Sequence, residues 1–155
     1  MPQFRTKRRV KHSASDMFDL VADVDKYPQF VPLCQSLRVR RRTEGAEGIE
    51  TIVAEMTVAY KVMHETFTSR VTLDRPNLLI TVDYLDGPFS RMENRWDFHP
   101  VSEQVCDVEF FIAWEFKSRV LGMLMGTMFE AAFRRFAGAF ERRADVVYGR
   151  RVSTS

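Results

Sequence analysis

Arg91-Met-Glu-Asn-Arg-Trp-Asp-Phe98 and Cys106-Asp-Val-Glu-Phe-Phe-Ile-Ala-Trp-Glu-Phe116 decide the fold. Successive side chains of a strand point to opposite faces, so a period of two sorts each run into sides. In the first, Arg91, Glu93, Arg95 and Asp97 share one face, and Met92, Asn94, Trp96 and Phe98 share the other. In the second, Asp107, Glu109 and Glu115 lie opposite Cys106, Val108, Phe110, Ile112, Trp114 and Phe116. The two runs therefore read as strands of a sheet that is wet on one side and dry on the other. Ile52, Ala54, Met56 and Val58 alternate in the same way earlier in the chain.

Outward from these runs, strand patterning extends from about residue 34 to 116. Gly45 and Gly48, Asp74 to Asn77 around Pro76, Asp86-Gly87-Pro88, and His99-Pro100 to Gln104 carry the turn chemistry. Six strands joined by such short connections imply an antiparallel meander. Residues 2–12 read as a further strand, basic and suited to an edge, where Lys and Arg deter aggregation. Ser13-Ala-Ser-Asp16 then starts a helix, with Ser13 as N-cap and Asp16 near the capping-box position. Met17, Phe18, Leu20, Val21 and Val24 form its apolar stripe, and it must end before Pro28. Tyr27-Pro-Gln-Phe30-Val-Pro32 reads as a compact turn carrying two rings.

A dry sheet face needs a cover. From Ser118 to Tyr148 there is no proline, and Leu121, Leu124, Met125, Met128, Phe129, Ala132, Phe133, Phe136, Phe140 and Ala144 recur at three- and four-residue spacing. About 30 residues at a rise of about 1.5 Å make a helix of roughly 45 Å, enough to cross a whole sheet. Its first half is unusual, because Val120 to Phe129 contains no charge. That half is either deeply buried, a dimer contact, or a lid that touches a membrane to exchange a ligand, with Arg119 near anionic headgroups. The expected architecture is α+β: a curved antiparallel sheet gripping a long C-terminal helix over an apolar cavity, residues 1–149 as one domain and 150–155 as a tail.

The composition suits a cavity. Of 155 residues 13 are Phe, 2 Trp and 4 Tyr, with 8 Met as adaptable filling. The net charge of +2 is too small to imply nucleic acid by itself. The positive charges are clustered, however: Arg5 to Lys11, Arg38 to Arg42, and Arg142, Arg143, Arg150 and Arg151. Such clusters are either solvated surface or a face for anionic lipid or RNA. Cys34 and Cys106 stand alone, as free buried thiols of a reducing compartment do. With no signal-peptide pattern and no long apolar run, a bacterial cytoplasmic protein is expected, with peripheral contact at the inner face of the membrane.

Catalytic constellations are not legible. His12, His64 and His99 lie far apart, near strand ends or on polar positions, and form no metal-binding pair. No nucleophile elbow or phosphate loop occurs, and Gly122-x-x-x-Gly126 has helix-packing spacing. No cofactor, no metal and no catalytic residue are therefore expected. Two polar residues fall on dry positions, Asn94 between Met92 and Trp96, and Glu65 in step with Phe67, Val71 and Leu73. Each is either a satisfied core residue or the partner of a ligand's polar end. The ligand-contacting candidates are Phe30, Pro88, Phe89, Asn94, Trp96, Trp114, Met125, Phe129 and Phe133. They lie on the dry face, on the helix, and in the irregular segments that move most easily.

Phe18-Asp-Leu-Val21-Ala-Asp23-Val24-Asp-Lys-Tyr27-Pro28-Gln-Phe30-Val-Pro32-Leu-Cys34 resembles the signature of the coenzyme Q-binding proteins of bacteria and mitochondria. Phe67-Thr-Ser69-Arg70-Val71, Gly87-Pro88-Phe89, Asn94-Arg-Trp96-Asp-Phe98 and the ending Phe140 to Gly149 add weaker matches, so the likeness runs from about residue 3 to 149. That family belongs to the START-like, polyketide cyclase/dehydrase superfamily, with a helix-grip fold of the Bet v 1 type. The resemblance implies ubiquinone bound without catalysis, in support of respiration and quinone synthesis. Because no mitochondrial presequence is seen, it points to the bacterial form. The same branch contains ribosome association toxins, so a ribosome- or RNA-directed protein is the alternative, and a polyketide cyclase-like enzyme is a third.

Overall fold

The computed structural model describes residues 2–60 and 63–149; the predicted tail, with Arg150 and Arg151, lies outside the described residues. The described strands are β1 (Gln3–Val10), β2 (Cys34–Glu44), β3 (Ile49–Tyr60), β4 (Met63–Asp74), β5 (Leu79–Asp86), β6 (Phe89–Ser102) and β7 (Val105–Phe116). They form one curved antiparallel sheet in the order β1-β7-β6-β5-β4-β3-β2. The meander is thus complete from β2 to β7, and β1 returns to pair with β7, Gln3 opposite Ala113 and Val10 opposite Cys106. Register keeps the dry side continuous: Asn94 stands between Val82 and Ile112, and Trp96 between Ile80 and Phe110. A slip of one residue would turn Trp96 and Phe98 into water, which is why the alternation specifies this pairing.

One predicted turn is corrected. His99 and Pro100 lie inside β6, and the reversal comes at Glu103-Gln104. Phe98 donates its N–H to Leu78 O on the β5 side, so Pro100, two residues on, faces the same side beyond the end of β5. The proline therefore sits where no ladder bond is asked of it.

The helix α1 (Ala14–Ala22) begins as expected, with Ser13 Oγ accepting from the Asp16 N–H at 3.0 Å. A 3-10 turn, Val24–Gln29, then carries Pro28. The helix α2 (Arg119–Tyr148) is capped by Ser118 Oγ, which accepts from the Leu121 N–H at 3.2 Å. It ends at Gly149, whose φ of 85° lies in the region that favours glycine.

A ladder of rings fixes α2 to the concave face. Phe133 lies 5.0 Å from Trp114, Phe136 5.8 Å from Phe110, and Phe140 4.8 Å from Trp96. Each such pair contributes about 0.5–1.5 kcal/mol beyond the burial of its area. Leu124 is a correction to the predicted stripe, since it points outward with 61% of its surface exposed. The Gly122-x-x-x-Gly126 spacing packs no partner helix here. A methyl at Gly126 would meet nothing within 4 Å, and one at Gly122 would make only ordinary contact with Phe116.

Candidate functional site

Between the sheet and α2 lies an apolar cavity of about 110 Å³. Its floor comes from alternate residues of adjacent strands: Leu37 on β2, Ala54 and Met56 on β3, Phe67 to Val71 on β4, and Met92 to Trp96 on β6. Trp114 and Ile112 continue it on β7, Phe129 to Phe140 roof it, and Tyr27 and Val31 to Leu33 close one end. This wall is apolar because the same period-two positions that build the core face inward here.

Six of the sequence-named residues, Phe89, Asn94, Trp96, Trp114, Phe129 and Phe133, border this space. Phe30, Pro88 and Met125 do not. The Phe30 ring turns onto Phe140 at 5.0 Å and under the Arg143 guanidinium at 5.2 Å, so it clamps the turn from outside. Pro88 accepts from the Lys117 N–H at 2.9 Å and closes the β5–β6 connection against the end of β7. Met125 is fully buried one turn before Phe129 and fills core beyond the wall. Glu65, expected on the dry face, is half-buried but borders no part of the cavity.

Three oxygen- or amide-bearing side chains line the cavity beside the indoles of Trp96 and Trp114. Tyr27 donates its hydroxyl to Val21 O, and burial pushes its phenol well above the usual range. Asn94 Nδ2 donates to Phe111 O at 2.8 Å, which satisfies one of its two N–H groups. Ser69, 5% exposed, has no partner for its hydroxyl. Sequence reading passed over Ser69, although its parity with Phe67 and Val71 put it on the dry face.

Away from the cavity, Cys34 and Cys106 are free, and burial pushes each thiol up to about 11. His12, placed by sequence near a strand end, is buried with 1% exposed, its Nε2 2.7 Å from Asp145 Oδ1. Among the described residues no three His, Cys, Asp or Glu side chains assemble as a metal site requires. Several members of the basic clusters are paired: Arg8 with Glu141 at 2.7 Å, Arg9 with Asp107 at 2.9 Å, and Arg42 with Asp25 at 2.7 Å. Arg40 also pairs with Glu55. No helix among the described residues is long and apolar enough to cross a membrane.

Residues 10–141 match the family described as polyketide cyclase/dehydrase and lipid transport. The chain is 34% identical over 151 residues to the ribosome association toxin RatA of Escherichia coli (strain K12), covering 97% of this chain and 92% of that one. It is 29% identical over 140 residues to the mitochondrial coenzyme Q-binding protein COQ10 of Drosophila melanogaster, covering 88% of this chain and 56% of that one. The 18 kDa protein CC1736 of Caulobacter crescentus superposes with a TM-score of 0.76 at 33% identity, covering 97% and 100% of the two chains. A START superfamily protein of Mycobacterium smegmatis reaches 0.77 at 18% identity over 94% and 98%, a likeness of fold alone. On sequence and fold together, the chain belongs to the polyketide cyclase/dehydrase and lipid-transport family, in its START-like, helix-grip form.

Proposed function

We propose that this protein binds and carries a hydrophobic ligand without transforming it, and that the ligand is an isoprenoid quinone of the ubiquinone type. The observation that carries this is the cavity itself, walled by rings, Met and aliphatic side chains with three oxygen- or amide-bearing side chains among them. Burying apolar area there favours uptake from water by about 25 cal/mol per Å². General acid-base chemistry needs a group that exchanges protons near neutral pH, and among the described residues the one titratable side chain in this wall, Tyr27, is pushed further above neutrality by burial. The likeness to a coenzyme Q-binding protein supports the choice of quinone.

The same proposal gives the start of α2 a task. Val120, Met123 and Leu124 are exposed to 66%, 83% and 61%, with exposed Lys117 and Arg119 beside them. Apolar side chains flanked by cations suit an anionic lipid surface, where a carrier loads and unloads.

Organic extraction of the purified protein followed by mass spectrometry is the test. A near-stoichiometric isoprenoid quinone is the expected result, and a repeatedly empty cavity from a quinone-producing host would refute it. Ribosome association is a second reading, favoured by the 34% identity to RatA across 97% of the chain. It predicts co-sedimentation with a ribosomal subunit in about 150 mM salt, weakening steeply as salt rises and counterions return to the phosphates. The pairing of Arg8, Arg9, Arg40 and Arg42 with acids weighs against an RNA face built on those residues.

A further inference from the structure

We infer that the Ser69 hydroxyl is the donor that receives an oxygen of the bound ligand, so that an uncharged, carbonyl-bearing head is held inside the cavity. This deepens the carrier proposal and rests on it. Ser69 lies on β4 opposite Ala54 of β3 and Tyr84 of β5, with its side chain on the cavity wall. A buried hydroxyl without a partner costs about 1–3 kcal/mol, so one on the wall of an apolar cavity asks for an acceptor there. Its orientation follows from the period of two that it shares with Phe67 and Val71, both on the wall, and a bulge lies opposite it. Thr68 pairs with Asp86 and Ser69 with Tyr84, leaving Leu85 as an extra residue in β5. Bulges of this kind bend a strand pair and re-aim side chains next to sites.

The other oxygen- or amide-bearing side chains are wholly or partly engaged. Tyr27 donates to Val21 O, and Asn94 gives one N–H to Phe111 O, leaving its second N–H and its Oδ1. Among the described residues, Ser69 is the wall's one wholly uncommitted hydroxyl. Among the described residues the wall also contains no Lys, Arg or His. An anionic head such as a carboxylate would be buried there without a counter-charge, at a large desolvation cost. A quinone or ketone oxygen accepts from Ser69 with no charge to bury.

The experiment compares ligand-stripped wild type, Ser69→Ala and Ser69→Thr against decylubiquinone, decylbenzene and palmitate. Binding is followed by the fluorescence of Trp96 and Trp114, both on the wall. Loss of one hydrogen bond predicts that Ser69→Ala binds decylubiquinone about tenfold more weakly while decylbenzene is unchanged. Ser69→Thr, which keeps a hydroxyl, stays within about twofold, and palmitate binds the wild type at least about tenfold more weakly than the quinone. The infrared carbonyl band of bound, carbon-13-labelled quinone should move up in frequency in Ser69→Ala alone. The melting temperature of ligand-free Ser69→Ala should not fall, because the hydroxyl it removes has no partner. If both neutral probes bind and Ser69→Ala weakens neither, or both equally, the carrier proposal stands and this inference is wrong. Tight palmitate binding overturns the uncharged-head assignment. A wild type that binds neither neutral probe removes the carrier proposal, and this inference with it.

Discussion

The two halves of α2 share one helix and one apolar spacing, yet they are held in different ways. From Phe133 to Tyr148 the helix is tied by both rings and polar contacts. Phe140 packs on Trp96, Tyr27 and Phe30; Arg143 donates to Gln29 Oε1 at 2.6 Å; Tyr148 donates to Asp16 O at 3.0 Å; and Asp145 meets His12. From Arg119 to Phe129, Met125 and Phe129 are buried, whereas Val120, Met123 and Leu124 face water. Among the described residues, the side-chain hydrogen bond seen there is the Ser118 cap, local to the start of the helix. Gly122 and Gly126 add flexibility without a close contact that would require glycine. The comparison teaches where a cavity lid is free to move: hydrophobic anchoring alone leaves the first half with fewer directional constraints than the second.

The largest expected effect breaks the tied half. Phe140→Ala removes a fully buried ring that three other rings lean on, and should cost about 3–5 kcal/mol in denaturant unfolding. Met123→Ser, in the exposed half, should stay within about 0.5 kcal/mol of wild type. Equal losses would show that the halves are not held differently. Next, Asp145→Ala leaves the His12 imbalance exposed: Nδ1 already lacks a partner, and Nε2 would lose its own. The expected cost is about 1–3 kcal/mol, with faster amide exchange confined to the end of α2.

A smaller effect tests the exposed patch. Met123→Glu with Leu124→Glu should leave the melting temperature nearly unchanged yet lower binding to anionic vesicles at least about tenfold, measured by flotation. Unchanged flotation would move membrane contact elsewhere. The smallest effect sharpens the comparison from the other side. Gly126→Ala adds a methyl that meets nothing within 4 Å, so it should stiffen the first half and stabilise the protein by up to about 1 kcal/mol. If the first half is the lid, quinone exchange between protein and vesicles should slow in this variant, while affinity changes little.

Much of the site was legible because a strand's period of two and a helix's spacing of three and four carry direction. Trp96, Trp114, Phe129 and Phe133 could be placed on inward faces from spacing alone, and they border the cavity. Phe30 and Pro88 do not border the cavity, and they sit in irregular segments where no period says which way a side chain turns. Met125 has the right face but the wrong depth, since helix periodicity gives an angle around the axis and says nothing of where along it the cavity ends.

What the sequence determined by itself is the meander, the capped long helix, the dry face and the family, all of which follow from local patterns and local words. Tertiary structure decided the rest. It alone showed that the start of α2 is turned to water, that His12 is buried against Asp145, and that Ser69 lacks a partner. The physical reason is that alternation reports the side a residue faces. Whether a polar atom on that side is satisfied depends on neighbours distant in sequence, and only the folded chain brings them together.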